Sequence, residues 1–214
     1  MKMYRIGMYA NPTTDRLMTM KSVAYAHFSV LGTWVSDRAP CEACGWHWQH
    51  YGTPLLVQWE PSTDVIGDFS WDGPFGYTFV VKDEVAQRLR SFGFGCKFLP
   101  VEYVAPDVSR PNSVPFPYNG PKLSWGLCES FVDLDMNASA VTVNESCRGC
   151  GRIAYTFRYD GIVIRRKDWR GQKMFRITTN GTSTATFVSE EGRMLIEHER
   201  FTNIAFSEAG EIVG

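Results

Sequence analysis

Two short motifs constrain this chain more than any other feature: Cys41-Glu42-Ala43-Cys44-Gly45 and Cys147-Arg148-Gly149-Cys150-Gly151. Both read C-x-x-C-G, and their first cysteines lie 106 positions apart. Two cysteines three positions apart in a tight turn can reach one metal ion, and a second such turn completes a four-sulfur shell. A disulfide inside either pair would be strained, and a reducing compartment disfavours it. A redox dithiol would want a helix N-terminus to depress its pKa, and neither motif is followed by a helical pattern. The glycine after each second cysteine can take positive φ, which lets backbone N–H groups turn toward the thiolates. The expected site is therefore one Zn2+ held by Cys41, Cys44, Cys147 and Cys150. A closed shell leaves no open coordination position, so its role is structural and not catalytic. His47 and His50 follow closely enough to replace a cysteine ligand, but their aromatic surroundings favour packing or surface roles. Cys96 and Cys128 stand apart from the motifs and read as small buried hydrophobes.

The chain has 214 residues, 44% apolar and 21% charged, with a net charge of −1. That balance supplies no overall field to recruit nucleic acid or an acidic membrane. Residues 1–8 contain no apolar stretch of leader length, and no run approaches the ~18 residues of a membrane span. The expected location is the cytoplasm.

Along the chain, strands are expected at 3–9, 54–59 and 96–104. A turn falls at Asn11-Pro12. Residues 60–75 carry Glu60, Asp64, Asp68 and Asp72 among prolines and glycines, with Phe69 and Trp71 interleaved, and read as a loop. A helix opens with Asp83 and Glu84, buries Val85, Leu89 and Phe92, and stops at Gly93. Residues 105–121 are proline-rich and read as an extended connector. Residues 153–159 and 162–166 suggest a hairpin across Asp160-Gly161. Strands are expected at 174–179 and 184–188. Ser189 then caps a helix to about residue 199, and a short strand follows at 204–208.

The order of features repeats. Val81 before the first helix and Val188 before the second are 107 apart, close to the spacing of the cysteine motifs. Each half runs C-x-x-C-G, a stretch of similar length, then strand–helix–strand. The expected fold is α+β: two related β-rich half-domains, 1–104 and 122–214, joined by the 105–121 connector and by a shared structural zinc site. An axis relating the halves would bring the two motifs face to face.

The paired motifs, with residues 80–102 and 187–208, make the chain resemble the double-CXXCG motif family of myxobacterial paralogues, which includes immunity proteins of a swarming-inhibition toxin system. The resemblance implies a cytoplasmic antitoxin that binds and neutralises a cognate toxin delivered by sibling cells. Nothing in the residues suggests an enzyme: there is no Ser/His/Asp set, phosphate loop or H-E-x-x-H. Inhibitors of basic effectors often present acids with aromatics, so Asp64, Asp68, Trp71 and Asp72 are candidates for partner binding. A rival reading is a zinc-containing nucleic-acid-binding protein using the basic 158–176 region: Arg158, Arg165, Arg166, Lys167, Arg170, Lys173 and Arg176, with Trp169 and Phe175 for stacking.

Overall fold

The computed structural model describes residues 1–8, 25–32, 34–36, 39–46, 50–61, 63–72, 78–106, 113–157, 160–178 and 185–214. The turn expected at Asn11-Pro12 lies outside them, as do His47 and Arg158. The first elements are β1 (Lys2–Gly7), β2 (Phe28–Val30), β3 (Trp34–Val35), β4 (His50–Tyr51), β5 (Leu55–Trp59), β6 (Phe69–Trp71), β7 (Phe79–Lys82), α1 (Asp83–Ser91) and β8 (Cys96–Tyr103). After the connector come β9 (Leu123–Cys128), β10 (Phe131–Asp133), β11 (Val141–Ser146), β12 (Ile153–Phe157), β13 (Ile162–Arg165), β14 (Met174–Thr178), β15 (Thr186–Ser189), α2 (Glu190–Glu199) and β16 (Ala205–Val213).

The described chain is mostly β, with two helices and two six-stranded, barrel-like sheets. The first sheet runs β2-β5-β8-β9-β7-β6. Phe28 of β2 also bridges Asp72, one residue past β6, so the sheet curls back on itself. The second runs β13-β16-β1-β15-β14-β10. There the Asp135 N–H, two residues past β10, donates to the Val163 carbonyl of β13 at 2.9 Å and draws the ends together. Five strands of each sheet match in order and direction, β5-β8-β9-β7-β6 with β13-β16-β1-β15-β14, while the sixth lies at opposite ends, β2 beside β5 and β10 beside β14. β5 with β8 and β13 with β16 are parallel. β9 runs antiparallel between β7 and β8, and β1 runs antiparallel between β15 and β16. In each sheet a helix carries the chain over that inserted strand. Residues 1–104 and 122–214 therefore each lend one strand to the other's sheet.

Side-chain alternation explains why these central strands are apolar on both faces. Leu123 and Trp125 of β9 and Val80 of β7 face the interior of the first sheet with Phe28, Leu55 and Val57. Met3 of β1 and Phe187 of β15 face the interior of the second, with Ile162, Ile164 and Phe175. Their neighbours Tyr4, Ile6, Phe79, Val81 and Val188 point the other way, into a third cluster shared with Val85, Leu89 and Ile196 of the two helices. That third cluster joins the two sheets.

Both helices form as the sequence predicts. Asp83 and Glu84 lie in the first turn of α1, Val85, Ala86 and Leu89 are buried, and Gly93 ends it at φ 73°. The Ser189 hydroxyl caps α2 by accepting from the Gly192 N–H at 3.2 Å.

Three expectations are corrected. Strands β12 and β13 do not pair as a hairpin, because β12 pairs with β11 and β13 pairs with β16. Residues 60–75 are not loop throughout, because Phe69, Ser70 and Trp71 are buried on β6. The last strand is nine residues long, not five. Among the described residues, no helix is long and apolar enough to cross a membrane.

Candidate metal centre

Each C-x-x-C-G motif sits on a two-stranded ribbon outside the barrel-like sheets. β3 pairs with β4 around the first motif, and β11 pairs with β12 around the second. The two turns are built alike. The Gly45 N–H donates to the Cys41 carbonyl at 2.7 Å, and the Gly151 N–H to the Cys147 carbonyl at 2.9 Å. The Cys41 N–H reaches the Trp46 carbonyl, and the Cys147 N–H the Arg152 carbonyl, both at 2.8 Å. Gly45 and Gly151 have φ of 68° and 71°, the left-handed region that a β-carbon disfavours.

The turns meet. Sγ atoms of Cys41 and Cys147 lie 3.9 Å apart, and those of Cys44 and Cys150 lie 3.8 Å apart. All four lie within 4.8 Å of one another. These distances exclude disulfides, whose S–S bond is about 2.05 Å, and all four cysteines are free. A tetrahedron with metal–sulfur bonds of ~2.3 Å has edges of ~3.8 Å, so the cluster fits a four-coordinate ion.

Backbone donors also surround the sulfurs. The Trp46 N–H faces Cys44, and the Arg152 N–H faces Cys150. The Cys150 N–H, with help from Cys44 and the Gly149 N–H, brings the Cys147 thiol down to about 7. At Cys44 the Trp46 N–H lowers the pKa, but burial and the other three sulfurs outweigh it and push it up to about 11. Cys147 thus sheds its proton readily, while Cys44 and Cys150 hold theirs more tightly. Four thiolates this close need a cation.

Two contacts at the meeting point escape the reading of either motif alone. A β-carbon on Gly149 would lie 2.9 Å from the Ala43 β-carbon, so the turns approach through this glycine. The Arg152 guanidinium lies over the Trp46 ring, 5.4 Å from its centroid. Superposing the two motifs supplies the signal: Ala43 falls on Gly149, and Trp46 on Arg152. The His50 side chain, like His47, lies outside the described residues.

The acid–aromatic set does not form a surface. Trp71 is fully buried, stacked on Phe69 and donating its indole N–H to the Asn203 carbonyl at 2.7 Å. This corrects its assignment to partner binding, because it presents no area. Asp68 is committed to the fold: it accepts from the Thr202 N–H and hydroxyl at 2.8 and 2.9 Å and pairs with Lys82 at 3.0 Å. Burial works against its charge, but the Thr202 bonds and Lys82 outweigh it and hold the carboxyl below its ordinary value. Asp72 is half-buried and accepts from the Thr78 N–H, while Asp64 is exposed. The basic region is dispersed as well. Arg165 pairs with Asp135, Lys173 with Glu191, and Arg176 is largely buried over Phe131. Arg166, Lys167 and Arg170 remain exposed on one turn.

The fold and site define a mostly β protein with two barrel-like sheets and a four-cysteine cluster able to hold a metal. Compared with protein-family models and with curated protein sequences, the chain matches none.

Proposed function

We propose that this chain is a zinc-stabilised immunity protein of the double-CXXCG kind: a cytoplasmic binding protein that neutralises a cognate toxin and performs no catalysis of its own. The observation that carries the reading is the convergence of the two C-x-x-C-G turns on one tetrahedral set of sulfurs. Zinc suits it because four thiolates with backbone donors form a closed structural shell. The matching strand orders support a second element of the reading. The chain consists of two related units, each contributing a ribbon to the zinc site, that have exchanged their first strands, β1 and β9. A zinc-clamped pair of this kind is a rigid scaffold whose outer surfaces are free for recognition. Asp64 and Asp72, exposed and half-exposed, remain in the candidate toxin-facing set. The nucleic-acid reading is weaker, because three of its basic side chains are paired or buried.

Co-expression with the toxin-like product of the neighbouring gene tests the function. The expected result is a stoichiometric complex on gel filtration and rescue of growth. No complex and no rescue, with both proteins folded, would defeat the immunity reading. A salt-sensitive shift of labelled DNA or RNA would favour the rival. Metal analysis tests the cofactor separately: one zinc per folded chain is expected, and fully folded protein without zinc would exclude it.

A further inference from the structure

The two sheets differ where their long strands change neighbours. In the second sheet β16 is held on both sides at once. Lys2 of β1 pairs with Glu211, the Ile212 N–H reaches the Met1 carbonyl at 2.8 Å, and β13 already pairs from Gly210 onward. Glycine permits this, because a β-carbon on Gly210 would overlap the Ile162 carbonyl. In the first sheet β8 contains no glycine. Its pairing with β9 ends at Pro100 and Ser124, and its pairing with β5 begins only at Val101. The strands part there, and a cavity of about 510 Å³ opens between β8, α1 and residues 118–124. Ligand pockets typically have volumes of roughly 300–1,000 Å³.

Its walls are apolar and largely aromatic, with Phe98, Val101, Tyr103, Tyr118 and Leu123 lining it. The Tyr103 and Tyr118 rings lie 4.3 Å apart. Tyr118 is held by its own turn, its hydroxyl donating to the Pro121 carbonyl at 2.7 Å. The Tyr103 hydroxyl is buried and has no hydrogen-bond partner among the described residues. Burial, Tyr118 and the Asp83 carboxylate keep it protonated, so it is a donor lacking an acceptor. Folded proteins seldom leave such a group unsatisfied. The charges are unequal. Asp83 accepts from the Ser124 hydroxyl at 2.6 Å and pairs with Lys122 at 3.2 Å. Arg90 has no ion-pair partner among the described residues, and its guanidinium lies over the Phe98 ring, 4.8 Å from the centroid. The lining therefore carries two cations against one carboxylate.

We propose that this cavity binds a small aromatic carboxylate. The ring of the ligand packs against the tyrosine and phenylalanine walls, and its carboxylate supplies the negative charge that Arg90 lacks. A guanidinium stacked on an aromatic ring presents a fixed planar fork, which suits a carboxylate better than a point charge would. The ligand also gives the Tyr103 hydroxyl an acceptor, with the Tyr118 turn yielding to admit it. Nothing in this site involves the cysteine cluster or binding of a toxin.

Titration of the zinc-loaded protein with phenylacetate, followed by NMR of the backbone amides, tests the site, with phenylacetamide as the neutral control. The expected result is saturable one-to-one binding with a dissociation constant of about 1 mM or tighter. The shifts should centre on α1, β8 and residues 118–124, and phenylacetamide should bind about tenfold or more weakly. Arg90→Gln, at an exposed position that leaves folding intact, should weaken phenylacetate to the level of the amide and leave the amide unchanged. Tyr103→Phe should weaken phenylacetate without lowering the melting temperature, since no hydrogen bond of the free protein is lost. No saturable shift up to roughly 10 mM, shifts centred elsewhere, or equal binding of acid and amide would overturn the proposal.

Discussion

At Gly45 and Gly151 the backbone takes a conformation that any β-carbon would strain, so the two positions should respond alike. Gly45→Ala and Gly151→Ala are each expected to lower stability by about 1–2 kcal/mol, measured by denaturant unfolding at saturating zinc. Gly149→Ala acts differently, by pushing the two turns apart at Ala43. It should weaken zinc retention against a chelator more than either of the other two. A serine at any of the four cysteines should cost the zinc ion and several kcal/mol of stability, since the binding free energy of structural zinc is folding free energy. His27 gives a pH signature. It is fully buried, and burial holds its pKa below the ordinary value despite the nearby Glu60 carboxylate. The unfolded chain therefore binds the proton more readily. Stability is full above about pH 6.5 and falls as the pH drops below it, by at most ~1.4 kcal/mol per pH unit. Urea midpoints at pH 7.5 and 5.5 should show this slope, and His27→Gln should flatten it. The site residues were legible because cysteine spacing carries its own chemistry. The burial of Trp71 was not, because an aromatic beside acids looks the same in a core strand and in a binding loop.

Elements were legible in proportion to their local signals. Both helices carry terminal charges and apolar spacing within about ten residues, α2 has a capping serine as well, and both form where those signals place them. The Ser189 cap makes a direct prediction: Ser189→Ala should cost about 1 kcal/mol. Gly192 predicts a larger loss. A β-carbon there would meet the Lys173 backbone carbonyl, so Gly192→Ala must lift α2 off its sheet. A thermal melt of each variant ranks the two effects. Strand partners were less legible. Asp160-Gly161 signals a reversal but does not say which strand will pair, and β13 finds β16 across 48 residues (162 to 210) instead of its neighbour. β6 is three residues long in a stretch of prolines and glycines, and only its pairing with β7 makes it a strand.

For the whole molecule, the repeat in the sequence anticipated two similar strand–helix–strand units but not the exchange of β1 and β9 between sheets. Nothing local in residues 2–7 distinguishes pairing with one half from pairing with the other; the choice lies in the register with β15 and β16. The exchange predicts how the chain can be divided. A protein cut within residues 107–112 should hold together as a two-piece complex. Each piece expressed alone should lack the central strand of its main sheet and fail to fold. Circular dichroism of the separate and mixed pieces, with zinc, checks this, and an independently folded piece would contradict it. The position of β1 also sets a schedule for synthesis. The first sheet is complete once β9 has been made, but β1 must wait for β15, about 180 residues later. At roughly 5–20 residues per second, that is about 10–40 s during which a newly made apolar strand has no native partner. The strand most exposed to mispairing in the nascent protein is therefore β1, and chaperone capture during translation should map to residues 2–7.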